Sequence, residues 1–398
     1  MTLKVLLAPS GFKESLSAEE VTEALAAGVL RAWPDAHLLK APLVDGGEGF
    51  TKTLVAVTGG TLHELTVTGP VGEPVASHFG FLGGSTGRKT AVLEMAAAAG
   101  LRLVPRNARD PLQTTTYGVG ELIKAALDAG AERILVGCGD SGTNDGGAGM
   151  AQALGVRLRD AGGREIGRGG RELLRLHQID LSRRDPRLAH TQIDVACNWH
   201  NLLCGPRGVA RVFGPQKGAS PADVELLAKA LDHYADIIAA QIGCDIRFLP
   251  GSGASGGLGA GLLALLGAKL HPRYDIVMHY LQFDELLQEA DLVITAEGSL
   301  DEQTPAGKIP AEVARRAKQR GLPVIAFAGS LGRNVEVNFA HGIDSFTSIL
   351  QAPCTLSEAI AQAPMLVTQA AERALRMVRV GMMLKQVPFS SATPRLAA

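Results

Sequence analysis

Short aliphatic and β-branched runs alternate with longer helical patterns along most of this chain, and that alternation narrows the folds open to it. Residues 3–8 (LKVLLA) read as a buried strand, followed by a helix over residues 18–33. Ser17 and Glu20 hold the S-x-x-E spacing of a capping box, which supports that helix start. Further strands are predicted at 37–43, 91–95, 133–137, 192–197, 291–296, 323–328 and 344–349. Further helices are predicted at 50–57, 116–129, 222–242, 258–266, 309–319 and 359–379. Strand–helix alternation with glycine turns is the pattern of parallel α/β sheets. Residues 61–87 have another texture, alternating polar and apolar side chains between turn signals as antiparallel hairpins do. Residues 156–170 read as a second hairpin with Ala161, Gly162 and Gly163 at its tip. The expected fold class is therefore α/β, with one largely parallel sheet and one mixed sheet. A length of 398 residues points to about two domains, since single cores rarely grow past ~250–300 residues. Residues 385–398 (KQVPFSSATPRLAA) show no helical face and read as a disordered tail.

Glycine is the compositional surplus, at 48 residues against only 20 Pro. Fifteen of them fall within 29 residues, in three segments at 45–49 (DGGEG), 137–149 (GCGDSGTNDGGAG) and 251–261 (GSGASGGLGAG). Each runs into a helix, where backbone N–H groups can cradle a phosphate. Two carry carboxylates, Asp45 and Glu48 in the first, Asp140 and Asp145 in the second, which suggests phosphate bound through a divalent cation. A single loop of this kind also reads as a helix cap or tight turn. Lys13 sits between the first strand and first helix, where it is either a phosphate ligand or a solvated surface charge. Glu297 and Asp301 follow the strand DLVITA, where open α/β sheets place ligand contacts, unless they cap the next segment. Lys308, just before the next helix, is a second phosphate candidate with the same surface alternative, and His200 is either a base or metal ligand or simply a hydrogen-bonded histidine.

Several function classes are disfavoured. Lys plus Arg number 39 against 40 Asp plus Glu, so no strong basic field marks a nucleic-acid binder. The longest uncharged stretch, residues 248–268, contains Pro250, two Ser and seven Gly and makes a poor lipid-facing helix. The N-terminus reads as a strand and not as a signal peptide. Five Cys without a C-x-x-C pair fit reduced thiols in the cytoplasm better than disulfides or structural zinc. Gly251, Gly253 and Gly256 match G-x-G-x-x-G literally, but Pro250 precedes them and Asp275 falls before a strand expected at 276–281, so a dinucleotide fold is disfavoured. No G-x-x-x-x-G-K-[ST] loop exists, which disfavours a Walker-type nucleotidase.

In this order the segments APSGFKESLSAEEV, PLVDGGEGF, DPLQTTTYGVGELI, SGTNDGGAGM, NLLCGPRGVARVFGPQKGA, PGSGASGGLGAGLL, DLVITAEGSLDEQT, AGKIP and PVIAFAGSL resemble the bacterial glycerate kinases, from the first strand to about residue 380. The resemblance implies γ-phosphoryl transfer from ATP to a hydroxyl of D-glycerate, mainly the 2-hydroxyl, with Mg²⁺. It implies two α/β domains with the site in a cleft between them, one domain being discontinuous (1–66 with 285–380) and the other central (67–284). The small-molecule substrate and ATP would be the partners, with no nucleic acid and no membrane, and an oligomer is left open. By the resemblance, Lys13, Asp145 and Asp301 are catalytic, and Asn144, Asn201 and His200 bind substrate. Gly251, Gly253, Gly256, Gly257 and Lys308 would hold nucleotide phosphates, and Asp45, Glu48 and Glu297 the metal. Family members usually have Asp-Ser where this chain has Ser10-Gly11, and C-D-V-D-N-P-L where it has Cys197-Asn198-Trp199-His200-Asn201-Leu202-Leu203. The Gly and Arg of their T-G-E-G-R are Ala296 and Ser299 here. These departures point to a changed acceptor among small hydroxy acids, or to a catalytically weak metabolite-binding paralogue.

Overall fold

A computed structural model describes residues 2–84 and 87–384. Residues 385–398, expected to form a tail, lie outside the described residues. The chain divides into two compact units, one of residues 1–43 and 284–398, the other of residues 44–283. The chain passes into the second unit after Leu43, earlier than residue 66, because the helix Phe50–Thr58 and the strand Thr61–Thr68 both pack within that second unit.

The first unit is built on five parallel strands in the order His37–Lys40, Lys4–Leu7, Leu292–Leu300, Val324–Leu331 and Ser345–Ser348. Side chains of a strand alternate between faces, and here both faces are buried, as a parallel sheet requires. Val5, Leu7, Ile294, Ala296 and Phe327 pack with the helices Ala18–Ala32 and Leu356–Leu384. The helix Ile309–Lys318, with Val313, Ala314 and Ala317 buried, packs against Leu292–Leu300. The predicted capping box forms: Ser17 Oγ accepts from the Glu20 N–H and Glu20 Oε2 from the Ser17 N–H. From Lys4–Leu7 the chain builds first to one side and then, at Leu292–Leu300, to the other. A ligand crevice is expected beyond the carboxyl ends of the two strands that flank such a reversal.

The second unit holds a six-stranded mixed sheet in the order Lys269–Pro272, Gln192–Cys197, Arg133–Gly137, Thr90–Glu94, Pro74–Phe81 and Thr61–Thr68. The first four are mutually parallel, and the last two form the antiparallel hairpin expected at 61–87. Helices Tyr117–Asp128 and Ala254–Leu266 cover one face with Val119, Leu122, Leu258 and Leu262. A separate core forms around Tyr234 of the helix Pro221–Ile242. The hairpin expected at 156–170 closes around its tip, with an Arg159–Glu165 bridge, Asp160 N–H donating to the Arg164 carbonyl (2.8 Å) and Ile166 N–H to the Leu158 carbonyl (2.9 Å), while Arg157–Arg159 pairs along its other edge with Gln178–Asp180. The strand expected at 276–281 is instead the helix Arg273–Tyr280, and the edge strand is the preceding Lys269–Pro272. A short apolar run such as Ile276-Val277-Met278 reads the same in a strand and in a buried helix. Among the described residues no helix is long and apolar enough to cross a membrane.

Two glycine-dense segments meet backbone to backbone in this unit. Residues 141–150 are buried throughout, as are residues 251–262. Ser255, Gly256 and Gly257 take left-handed backbone angles (φ 52°, 68° and 88°) just before the regular part of their helix. A Cβ at Gly256 would overlap the Thr143 carbonyl oxygen, whereas one at Gly267, also left-handed at φ 75°, would meet nothing within 4 Å. Gly256→Ala should therefore cost about 3 kcal/mol or more, from overlap plus left-handed strain. Gly267→Ala should cost only about 1 kcal/mol from the strain alone. Urea denaturation of both variants checks this, and equal losses would remove the packing argument.

Candidate functional site

The carboxyl ends of the parallel strands in the second unit carry a polar rim. The segment from Asp45 to Gly49 lies across two of these strand ends: a Cβ at Gly46 would stand 3.2 Å from the Ala196 carbonyl oxygen and 3.4 Å from the Cys138 nitrogen. Glu48 N–H donates to Asp140 Oδ2 at 3.0 Å, and Asp140 itself takes a left-handed φ of 50°. Asp45 pairs with Arg273 at 3.6 Å and Glu48 with Arg102 at 3.0 Å. Asn198, Trp199 and His200 follow the strand Gln192–Cys197 at the same edge, with Trp199 37% exposed. The Asn198 side chain accepts from the His200 N–H at 3.1 Å, which shapes the turn. Asn201 holds the neighbouring glycine segment through its carbonyl, which accepts from the Gly253 N–H at 3.0 Å.

Behind the rim lie three buried ionisable side chains. Glu94, 1% exposed, accepts from the Gly49 and Thr51 N–H groups at 3.1 and 2.8 Å and so caps the helix Phe50–Thr58 from across the sheet. Burial raises its pKa against those two hydrogen bonds. Asp145 is fully buried, and its carboxylate accepts from Thr116 N–H, Thr116 Oγ1, Gly147 N–H and Gly149 N–H at 2.8–3.3 Å. Burial raises its pKa too, while those donors hold it down. This geometry ties the glycine loop to the start of the helix Tyr117–Asp128, and Asp145 presents no free face to a ligand. Lys217, 2% exposed, donates to Ser141 Oγ (2.9 Å), the Thr143 carbonyl (2.6 Å) and Asn144 Oδ1 (3.0 Å). Burial pulls its pKa down to about 7 against the field of Asp145. Asn144 is fully enclosed, with Nδ2 unpartnered.

Gly251, Gly253, Gly256 and Gly257 are buried as well. A Cβ at Gly251 would press on Cys197 Sγ at 2.6 Å, and one at Gly253 would overlap the Leu202 carbonyl. Their lack of side chains serves close packing in this conformation. Beneath the rim, burial pushes the Cys197 thiol up to about 12, and five cysteines carry free thiols.

The first unit has its own polar cluster, at the strand ends where a crevice is expected. Phe12 and Leu16 close a tight loop by two backbone hydrogen bonds, with Lys13 exposed at its tip. A Cβ on Gly298 would stand 4.0 Å from the Lys13 nitrogen, so this loop overlies the segment that bears Glu297 and Ser299. Ser10 donates to the Ala296 carbonyl from both its backbone N–H (2.8 Å) and its hydroxyl (3.0 Å). Lys308 Nζ reaches both Asp301 oxygens at 3.2 and 3.3 Å and the Ser299 carbonyl at 3.2 Å. Burial would raise the Asp301 carboxyl, but the Gln303 N–H and the Lys308 ammonium outweigh it and hold the pKa below the ordinary value. Asp301 is thus ionised throughout the neutral range.

Among the described residues no three His, Cys, Asp or Glu side chains converge as a resident metal cage. Two carboxylates do converge at Gly47, where a Cβ would overlap Asp140 Oδ2 and stand 3.3 Å from Asp45 Oδ1. That pair fits Mg²⁺, which usually takes one or two carboxylates and completes its shell with water and substrate phosphates. Of the three residues expected to bind metal, only Asp45 belongs to this pair. Glu48 turns to Arg102, and Glu297 belongs to the first unit. Sequence reasoning left out Glu94, Lys217, Arg102 and Arg273. A lone Glu ending an apolar strand was a readable signal for Glu94, whereas only burial distinguishes Lys217 from a surface lysine.

The sequence profile of the glycerate kinase family matches residues 5–379. The chain is 49% identical over 361 residues to a glycerate kinase of Bacillus subtilis (strain 168), covering 91% of this chain and 94% of the relative. It is 48% identical over 357 residues to a glycerate 2-kinase of Escherichia coli (strain K12), covering 90% and 93%. A crystal structure from Salmonella typhimurium LT2, of a protein proposed to be glycerate kinase 2, superposes with a TM-score of 0.85 at 46% identity and covers 96% of this chain and 100% of that one.

The buried Glu94 cap makes stability depend on pH with a definite sign. Its raised pKa means that the folded chain binds this proton more tightly than the unfolded chain, whose pKa is near 4.5. Stability from this group is therefore lost as pH rises from about 4.5 through the raised value. Denaturation midpoints of wild type should fall relative to Glu94→Gln over that window, and parallel curves would contradict the buried-charge account.

Proposed function

The chain belongs to the glycerate kinase family, and we propose that it transfers the γ-phosphoryl group of ATP to D-glycerate, forming 2-phosphoglycerate in the cytoplasm. The observation that carries this reading is the pairing of Lys308 with Asp301 at the carboxyl end of the strand Leu292–Leu300, beside the loop that bears Lys13. Phosphoryl transfer asks a protein chiefly for positioning and charge neutralisation. Lys13 and Lys308 are the cations assigned to phosphate oxygens. Asp301, ionised and held by Lys308 and by the Gln303 N–H at 2.9 Å, is assigned to orient the attacking hydroxyl. Its lowered pKa makes it a weak base, which suits orientation better than early proton removal.

On the second unit, Asp45 and Asp140 would hold Mg²⁺, which when bound spreads the charge of the phosphates. Arg102 and Arg273 keep these acidic segments in register through Glu48 and Asp45. Asp145, enclosed by its donors, is reassigned from a catalytic role to anchoring the glycine loop. Asn201 and His200 remain assigned to the acceptor, because they sit at the exposed strand end with Trp199.

A second reading, another small hydroxy acid as acceptor, is favoured by one observation. Three positions that depart from the family pattern, Asn198, Trp199 and His200, stand together at the strand end of the second unit, where the Asn198 side chain accepts from the His200 N–H. Coupled ADP-release assays over a panel of hydroxy acids decide between the readings. D-glycerate as the best acceptor supports the first, and turnover only with another acid supports the second. Asp301→Asn should lower kcat by about 10²-fold or more with either acceptor, in line with the loss of a transition-state contact. It should cost stability about 1 kcal/mol or less, because the lost pair is partly exposed. Unchanged turnover would remove Asp301 from the reaction.

A further inference from the structure

Lys217 has no exposed face, and its ammonium reaches no carboxylate. Lysine is almost never fully buried without a charged partner, because removing an ammonium from water is costly unless close contacts repay it. Here the repayment comes from the loop that follows the strand Arg133–Gly137. Three acceptors, Ser141 Oγ, the Thr143 carbonyl and Asn144 Oδ1, match the three N–H groups of an ammonium. They span one short stretch of backbone, which Lys217 holds from inside while residues 99–101 hold it from the other side through Leu101 N–H to the Asp140 carbonyl (2.8 Å) and Gly142 N–H to the Ala99 carbonyl (2.9 Å). The next residue outward is Asp140, exposed, left-handed at φ 50° and holding the Glu48 N–H at 3.0 Å. The root of the loop is therefore tied to Lys217 and its tip to the segment from Asp45 to Gly49.

We infer that Lys217 is a positioning residue for phosphoryl transfer, fixing the root of residues 141–144 so that the Asp140 carboxylate stays beside Asp45. It touches neither substrate nor nucleotide and acts through Asp140. A purely structural lysine would lower stability and leave the kinetic constants of the folded fraction alone. A positioning lysine changes kcat in an enzyme that is still folded, and its effect vanishes when the group it positions is gone. The inference rests on the kinase reading and on the assignment of Asp140 to the metal-bearing pair.

The experiment is a double-mutant cycle on kcat and KM, read by ADP release with D-glycerate as acceptor. Lys217→Met is close in length and apolar, and Asp140→Asn keeps a residue that tolerates the left-handed angle. Lys217→Met alone should lower kcat about 10²-fold, while in the Asp140→Asn background it should lower kcat less than about 3-fold further. Losses that multiply, or a folded Lys217→Met with unchanged constants, overturn the inference. If Lys217→Met does not fold, Ser141→Ala takes its place, because it removes one acceptor and little bulk. A several-fold loss in kcat that disappears with Asp140→Asn supports the inference, and an equal loss in both backgrounds overturns it. Wild-type protein that releases no ADP with D-glycerate or with any other hydroxy acid of the panel would instead sink the kinase reading itself.

Discussion

Two segments of backbone in the second unit lie closer together than any residue with a side chain would allow. Residues 141–149 and 251–261 bury each other because Gly146, Gly147, Gly256 and Gly261 have no Cβ to keep them apart: a Cβ at Gly261 would stand 3.0 Å from Gly147 Cα, and one at Gly256 would overlap Thr143. Much else follows from that approach. It sets where the helix Ala254–Leu266 becomes regular, after three left-handed residues, and it encloses Asn144 and Asp145. It also leaves the loop's own hydrogen-bonding groups to be satisfied from inside the unit.

Those groups explain the buried charges. A loop of small residues folded on itself offers carbonyls and N–H groups that no regular ladder takes up. Asp145 supplies acceptors for the N–H groups of Thr116, Gly147 and Gly149, and Lys217 supplies donors for the oxygens of Ser141, Thr143 and Asn144. Glu94 repeats the device at the other glycine segment, on Gly49 and Thr51. Each group is unfavourable to bury alone and becomes tolerable because several short hydrogen bonds converge on it. The exposed rim residues Asp140, Glu48 and Asp45 thus stand on a base that is rigid for identifiable reasons.

The parallel architecture was legible because its strands are short apolar runs set off by helical periodicity, and the 61–87 hairpin because its polar and apolar residues alternate. The helix Arg273–Tyr280 was not, since Ile276-Val277-Met278 carries no period to distinguish it from a strand. The glycine segments were legible as special backbone but not as packing surfaces, because sequence shows the missing Cβ atoms and not what fills their place. Of the candidate site, Asp301 and Lys308 were readable as candidates from their place after a strand. The convergence of Asp45 with Asp140 was not, because it joins two loops far apart in the chain.

Charge distribution gives the departures from the family pattern a physical direction. In the first unit the chain lacks one carboxylate at Ser10 and one guanidinium at Ser299, changes of opposite sign that sit on adjoining strand ends. Their electrostatic effects largely offset each other, and the Ser10 hydroxyl is taken up by the Ala296 carbonyl. In the second unit two carboxylates are absent at Asn198 and His200, and no cation is lost beside them. The rim formed there with Arg273 is correspondingly less acidic than the family pattern would make it. A less acidic rim repels a carboxylate-bearing group less. The two sets of substitutions therefore differ in kind: the first leaves local charge nearly unchanged, and the second lowers the acidity of the rim.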